Sequence, residues 1–354
     1  GGDEGGDGGG DEVDRVPWKE GGAGSGVSLS AQLVNMLPEN AALDAAAATL
    51  AAGWHAMEDP AAKVLMVVQP EERNVFDQRW IAARLWEAHG VRTVRATLRE
   101  IHDGATVGGA TVGGVGGGGG GEPGVVANAL EYGGDTFSVV YFRAGYTPGD
   151  YPSEAEWRAR ELLERSAAVK SPSAAMHLAG TKKVQQVLAA PGVLERFVPA
   201  AQDAADMRRV FAGLYALDGE NAATAVAQGL ADPEGFVLKP QREGGGNNLY
   251  GEELTAALQT FDPAAAPGAP GDLSAYILMQ RILPPLTHTL CLRAGQVAAL
   301  ETVSELGVYT GYLRIGEQVV MNRGAGHLLR TKAATSDEGG VAAGFAVLDS
   351  PQLY

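Results

Sequence analysis

The run "KVLMVV" at residues 63–68 constrains the fold more than any other stretch of this chain. A short, unbroken apolar run of this length reads as a strand. Helical patterns flank it. "NAALDAAAATLAAGWHA" (40–56) is an alanine-rich helix with Asn40 as its cap. "NVFDQRWIAARLWEAHG" (74–90) sets Phe76, Ile81, Leu85 and Trp86 along one helical face and stops at Gly90. "VRTVRATL" (91–98) and "FSVVYF" (137–142) read as further strands, and residues 153–168 as another helix. Strands alternating with helices need crossover connections, so the expected architecture is a mostly parallel, doubly wound α/β sheet.

The second half of the chain reads differently. Helices are expected at 181–190, 203–216, 221–231 and 251–259, with strands leading into Lys239 and at 274–279. Strands at 288–293, 297–303, 309–315 and 317–321 follow, separated by turn signals. Antiparallel strands beside helices suit an α+β nucleotide-binding domain. The boundary falls near "KSPSAAMHLAG", which gives an α/β substrate-binding domain at 27–177 and a second domain at 178–354. Of the 50 glycines, 23 lie in two tracts, residues 1–26 and 104–124. Such tracts bury no apolar surface, so the first reads as a low-complexity end and the second as a disordered insertion.

Charge and composition exclude several functions. The net charge of −16 argues against a nucleic-acid binder, and −5 of it comes from the first 20 residues. Cys291 is the only cysteine, so an intramolecular disulfide and a cysteine-cluster metal site are excluded. No window has the apolar length of a membrane span. The first residues lack a methionine, a basic n-region and an apolar h-region, so a processed or partial chain without a secretory signal is expected, in the cytoplasm with a plastid as the alternative.

The chemistry concentrates in "FVLKPQREGGGNNLYG" (236–251). Three glycines let backbone N–H groups approach an anion, and Lys239 and Arg242 add positive charge at the lip. Glu243 would repel phosphate unless a cation stood between them, which points to a metal–nucleotide site. Lys182 opens a helix in "LAGTKKVQQ", Glu305 follows a strand in "SELG", and Arg330 and Lys332 lie in "HLLRTK". A second small-residue loop runs from Glu338 to Gly344. Lysines suit phosphates, and arginine suits bidentate carboxylate binding. The phosphate-loop order is excluded because Lys239 precedes its glycines, and there is neither a G-x-S-x-G elbow nor an H-x-x-x-H zinc spacing.

"AGTKKVQQ", "VLKPQREGGGNNLYGEEL", "AYILMQRI", "SELG" and "GHLLRTKAA…GGVAAGFAVLD" together resemble the eukaryotic glutathione synthetase family, as do "ERNVFDQR" and "VVYFRAGY" upstream. The resemblance covers roughly residues 40–354 outside the glycine insertion. It implies an ATP-grasp ligase with lid loops that joins γ-glutamylcysteine to glycine through an acyl phosphate, with ATP as co-substrate, Mg²⁺ as cofactor and a homodimer as assembly. Lys182, Lys239, Gly244, Gly245, Gly246, Asn248, Tyr250, Met279, Gln280, Ile282, Glu305, Lys332 and Glu338 would line the ATP site, with Glu243 on the metal. Gln69, Arg143, Tyr146, Arg330, Val341 and Ala342 would contact the peptide, Arg330 also serving catalysis. Loops 241–249 and 334–344 would close as lids to keep water from the acyl phosphate. Ala144 stands where the family usually has an acid, as does Gln280, and the family's metal-binding E-x-N segment is not in this chain. Two alternatives stay open: another acceptor, β-alanine or serine, and a non-catalytic nucleotide-binding remnant.

Overall fold

The computed structural model describes residues 37–108, 110–111, 128–241, 247–293, 295–336, 341 and 346–351. The chain divides into two compact units, Leu43–Leu283 with Thr310–Ala325, and Gly1–Ala42 with Pro284–Tyr309 and Gly326–Tyr354.

The larger unit contains the sheet that the first apolar run announces. Its strands are β1 (Lys63–Val67), β2 (Thr93–Ala96), β3 (Ala105–Val107), β4 (Ala110–Thr111), β5 (Leu130–Tyr132), β6 (Asp135–Phe142) and β7 (Val169–Ser171). β1 lies between β2 and β6 and is parallel to both, and β7 adds in parallel beyond β6. β5, β3 and β4 continue the sheet as an antiparallel extension. Leu65 sits opposite Val94 on one side and Val140 on the other.

Successive residues of a strand point to opposite faces, and here both faces are covered. Val64 and Val139 pack with Ala47, Leu50 and Ala51 of α1 (Ala42–His55) and Ile81 and Leu85 of α2 (Val75–His89). Their neighbours Leu65 and Val140 pack on the other face against Ile101 of α3 (Leu98–Gly104) and Ala159 and Leu163 of α4 (Glu154–Arg165). Doubly wound is therefore the right description. Gly90 ends α2 at φ 69°, the left-handed C-cap expected of it. Asn40 accepts a hydrogen bond from Ala42 N–H at 3.2 Å, as a capping side chain does. α4 starts from Ser153, which with Glu156 forms a capping box.

The same unit holds a second sheet. It is preceded by α5 (Ala174–Ala179), α6 (Lys182–Ala189) and α7 (Ala201–Arg208). Its strands β8 (Leu214–Ala216), β9 (Phe236–Pro240) and β10 (Tyr276–Gln280) run antiparallel in the order β8-β10-β9. α8 (Ala222–Ala231) and α9 (Gly251–Gln259) cover it through Val226, Leu254 and Leu258. Gly229 is closely packed here, since a Cβ would stand 2.6 Å from Leu258 Cδ1 and the leucine would have to shift.

The smaller unit is built on β11 (Thr287–Arg293), β12 (Gln296–Ile315), β13 (Gln318–Ala333) and β14 (Ala346–Asp349), neighbours in that order. The far ends of β12 and β13, residues 310–325, belong to the larger unit. One face of this sheet carries a file of hydroxyls. Thr302 bonds Thr287 and Thr289, while Ser304 bonds Thr331, which donates to Asp349 at 2.9 Å.

Several expectations are corrected. Strands foreseen at 297–303 and 309–315 are one strand, because Gly307 and Gly311 stay in the ladder instead of turning it. Glu305 is therefore inside a strand and not after one. The helix foreseen at 203–216 ends at Arg208, and residues 214–216 pair with β10. The buried face of α2 is Gln78, Ile81 and Leu85; Phe76 and Trp86 are exposed. The insertion foreseen from residue 104 begins inside the sheet, since Thr106 and Val107 pair with Glu131 and Leu130. Residues 109 and 112–127 lie outside the described residues, as do Arg242, Glu243, Gly244, Gly245, Gly246, Glu338 and Ala342.

This packing yields a direct stability test. Leu85 is fully buried between α2 and the sheet, whereas Phe76 on the same helix is 73% exposed. Leu85→Ala is expected to cost roughly 2–5 kcal/mol in urea unfolding, as large-to-small core substitutions do. Phe76→Ala, despite deleting the larger side chain, is expected to stay within about 0.5 kcal/mol. Equal losses would show that the buried face of α2 is wrongly assigned.

Candidate functional site

The residues expected to carry chemistry gather in three clusters, two in the larger unit and one in the smaller. The first stands at the carboxyl ends of the parallel strands β1 and β6, where ligands bind in open α/β sheets. Gln69 follows β1 and Arg143 follows β6, and Arg143 N–H donates to Val67 O at 2.8 Å across the strand ends. The Arg143 guanidinium donates to Asp77 on the first turn of α2 at 2.5 Å and to the Tyr141 hydroxyl at 3.3 Å. Burial pulls its pKa down, and Tyr141, Asp77 and Glu72 more than reverse this, so it stays charged.

The loop after Arg143 is ordered by one carboxylate. Asp150 accepts from Tyr146 N–H, from Thr147 N–H and Oγ1, and from Gln69 Nε2 at 3.1 Å. Gln69 and Tyr146 are thereby fixed to each other through Asp150, although 77 residues separate them in sequence. Ala144 is buried in the core with Phe142 and Ala159.

Three buried polar atoms of this cluster, Arg143 Nε, Glu72 Oε2 and Gln78 Nε2, make no hydrogen bond of good geometry, although the Gln78 amide lies close enough to Glu72 to help hold it ionised. Buried polar groups are normally satisfied, and an unpaired one costs about 1–3 kcal/mol. A guanidinium, a carboxylate and an amide with open valences at a strand terminus form a ready receptor for a zwitterionic molecule. Burial raises the Glu72 pKa, but the Asn74 N–H at 2.8 Å, the nearby Gln78 amide and the Gln69 backbone outweigh it and leave the carboxyl below its ordinary value. Glu72 and Gln78 were missed because "EERNVFDQR" reads as the start of a helix. The available signal was the buried amide on the apolar face of α2, where Gln78 takes its Oε1 bond from Arg95.

The second cluster lies on the antiparallel sheet. Lys239 on β9 is in register with Ile277 of β10, two residues from Met279, and Gln280 pairs with Phe236. Gln280 also grips Gly213, accepting its N–H at 3.0 Å through Oε1 and donating its own N–H to Gly213 O at 2.8 Å. A bridge between Leu238 and Leu249 brings Asn248 and Tyr250 alongside β9, and the Tyr250 ring lies 5.4 Å from the Arg281 guanidinium. Lys182 is the first residue of α6. Its neighbour Lys183 is engaged by Asp218 at 3.0 Å. Ile282 is 73% exposed just past β10.

The third cluster belongs to the smaller unit. Glu305 on β12 accepts from Arg330 on β13 at 2.5 Å, and Lys332 Nζ donates to Ser336 O. Because Ser304 bonds Thr331 on one face, Glu305, Arg330 and Lys332 share the other. Val341 lies in a turn beyond β13. Among the described residues no group of three or more His, Cys, Asp or Glu side chains could hold a metal ion.

Comparison with known proteins bears on all three clusters. Residues 20–353 match the family model described as eukaryotic glutathione synthase, ATP binding domain. The chain is 48% identical over 326 residues to the chloroplastic glutathione synthetase of Solanum lycopersicum, covering 90% of this chain and 54% of that protein. It is 45% identical to the chloroplastic enzyme of Arabidopsis thaliana, with the same coverage, and 44% identical to glutathione synthetase of Homo sapiens, covering 85% and 59%. The chain thus spans about half the length of these relatives. In fold it is similar to a glutathione synthetase-like effector of Globodera pallida in its apo form, with a TM-score of 0.63 at 21% identity over 90% of this chain and 62% of that one.

The depressed Glu72 carboxyl predicts how the first cluster responds to pH. A folded-state pKa below the unfolded one contributes stability above the ordinary value of 4.5, lost as pH falls through the folded pKa. Protection of the Asn74 amide from hydrogen exchange should decline in that acid window. Glu72→Gln should flatten the decline, and an unchanged profile in that variant would assign it to another group.

Proposed function

The chain belongs to the eukaryotic glutathione synthase family, and from that premise we propose that it is the ATP-grasp part of an ATP-dependent ligase joining γ-glutamylcysteine to glycine. The observation that carries this reading is the cluster of unpaired Arg143, Glu72 and Gln78 atoms at the strand ends. γ-Glutamylcysteine offers both carboxylates and an ammonium group. Arg143 suits a carboxylate, Glu72 suits the ammonium, and Gln78 suits a carbonyl. Gln69 and Tyr146, held by Asp150, close the sides of the same site.

In this reading ATP lies along β9 and β10. Lys182 and Lys239 hold its phosphates, and Met279, Gln280 and Ile282 edge the adenine, with Asn248 and Tyr250 beside the nucleotide. Gly244, Gly245, Gly246 and Glu338 would cover it as lid residues, and Val341 and Ala342 would meet the peptide. The smaller unit holds Glu305, Lys332 and Arg330, and the resemblance would assign the first two to the nucleotide and Arg330 to the peptide carboxylate. Mg²⁺ would be held by Glu243 and would neutralise phosphate charge when bound. The protein supplies no nucleophile. It orients the γ-glutamylcysteine carboxylate for phosphorylation, then holds the acyl phosphate away from water until the glycine amine attacks.

Glycine as acceptor, a homodimeric assembly and the division into a substrate domain at 27–177 and an ATP-grasp domain at 178–354 belong to the same proposal. Among the described residues no helix is long and apolar enough to cross a membrane. Two plant relatives are named chloroplastic, so a fluorescent fusion of the whole gene product would separate a plastid from a cytoplasmic location.

The test is binding followed by turnover. A non-hydrolysable ATP analogue titrated by calorimetry should bind the protein, and Lys239→Ala should weaken it by roughly tenfold or more, the loss of one charge-assisted contact. Labelled glycine should enter product only with both ATP and γ-glutamylcysteine present. Incorporation of β-alanine or serine in preference to glycine would change the acceptor. Analogue binding unaffected by Lys239→Ala would remove the nucleotide assignment.

A further inference from the structure

The helix that carries Lys182 is not capped by its own sequence. Thr181 stands at the N-cap position of α6 but makes no capping hydrogen bond, because its hydroxyl donates back to Leu178 O at 2.8 Å. The cap comes instead from 58 residues downstream, where Gln241 Oε1 accepts the Lys183 N–H at 3.1 Å. Gln241 directly follows β9 and its Lys239, and its own N–H donates to Ala275 O at 2.8 Å beside β10. One side chain therefore ties the start of α6 to the end of the strand that presents Lys239. The Lys183 ammonium adds a second tie, reaching both Asp218 oxygens at 3.1 and 3.0 Å just past β8.

We propose that Gln241 is a positioning residue for nucleotide binding: as a tertiary cap on α6, it sets the spacing between Lys182 and Lys239 so that both ammonium groups address one phosphate chain. This rests on the nucleotide site proposed above. Two lysines on separate elements share a polyphosphate only if the elements hold their distance, and small errors in position cost large factors. A neutral amide suits this place. It accepts the helix N–H without putting a negative charge beside the phosphates.

The experiment measures the affinity of the whole chain for a non-hydrolysable ATP analogue, with thermal unfolding alongside. Gln241→Leu should weaken binding by roughly fivefold, the equilibrium equivalent of one lost helix cap. In a Lys182→Ala background the same change should have almost no further effect, since Gln241 acts through that lysine. Thr181→Asn supplies a local cap that does not reach β9. Added to Gln241→Leu, it should restore the melting temperature and leave affinity weak. Recovery of affinity together with stability would overturn the proposal, because Gln241 would then be a cap and nothing more. Additive losses from Gln241→Leu and Lys182→Ala would overturn it as well. If wild type binds the analogue and Lys239→Ala weakens binding while Gln241→Leu changes nothing, the inference fails and the nucleotide site stands. If wild type does not bind the analogue, both fail.

Discussion

The burial of β1 and β6 on both faces is the constraint on which the first cluster depends. Val64 and Leu65 point in opposite directions, and each meets helices instead of water. A strand so enclosed can neither slip its register nor expose an edge without bringing apolar residues into solvent. The loops at its carboxyl end are therefore presented from a rigid base. Gln69 and Arg143 stand side by side because Val67 and Phe142 are partners in the ladder. The chemistry at this edge is positioned by valines and leucines that touch no ligand.

On that base the polar groups are arranged by competition between burial and pairing. Arg143 is drawn into the protein, where a charge is costly, and is kept ionised by Asp77, Tyr141 and Glu72. Burial also raises the Tyr146 pKa, with Asp150 and Glu72 adding to the shift, so the hydroxyl stays a donor. Asp150 spends its valences on loop backbone and on Gln69, while Glu72, Arg143 and Gln78 each keep one unused. The division has a physical sense. A carboxylate with all its hydrogen bonds inside the protein builds the loop, and groups with bonds to spare can receive a molecule. The second cluster follows another plan, with β9, β10 and the start of α6 joined by backbone pairing and by Gln241.

Much of this was legible in the residues. The strands at 63–67 and 135–142, the stop at Gly90, the helix at 251–259 and the start of α6 at Lys182 follow from local pattern. Local rules failed where a residue answered to a distant partner. Phe76 fits an apolar stripe yet is exposed, while Gln78 is buried, because Arg95 on β2 offers its side chain a bond. Gly307 and Gly311 look like turns and remain in a strand, since β12 runs on past the end of β11 beside β13. Thr106 and Val107 look like the edge of a glycine tract and join the sheet through β5.

By itself the sequence determined the alternation of strands and helices, the two glycine tracts, the acidic balance and the family, because each is written in neighbouring residues and ordered motifs. Only the tertiary structure decided which polar groups are spent and which are open. Asp150 and Glu72 are both acids near turns, and nothing local separates them. What separates them is that Asp150 meets Gln69, Tyr146 and Thr147, while one oxygen of Glu72 is buried without a bond. Likewise Gln241 and Gln69 are ordinary glutamines in sequence. The first is a helix cap 58 positions away and the second a strand-end anchor, because hydrogen bonding depends on distance in space, which folding sets.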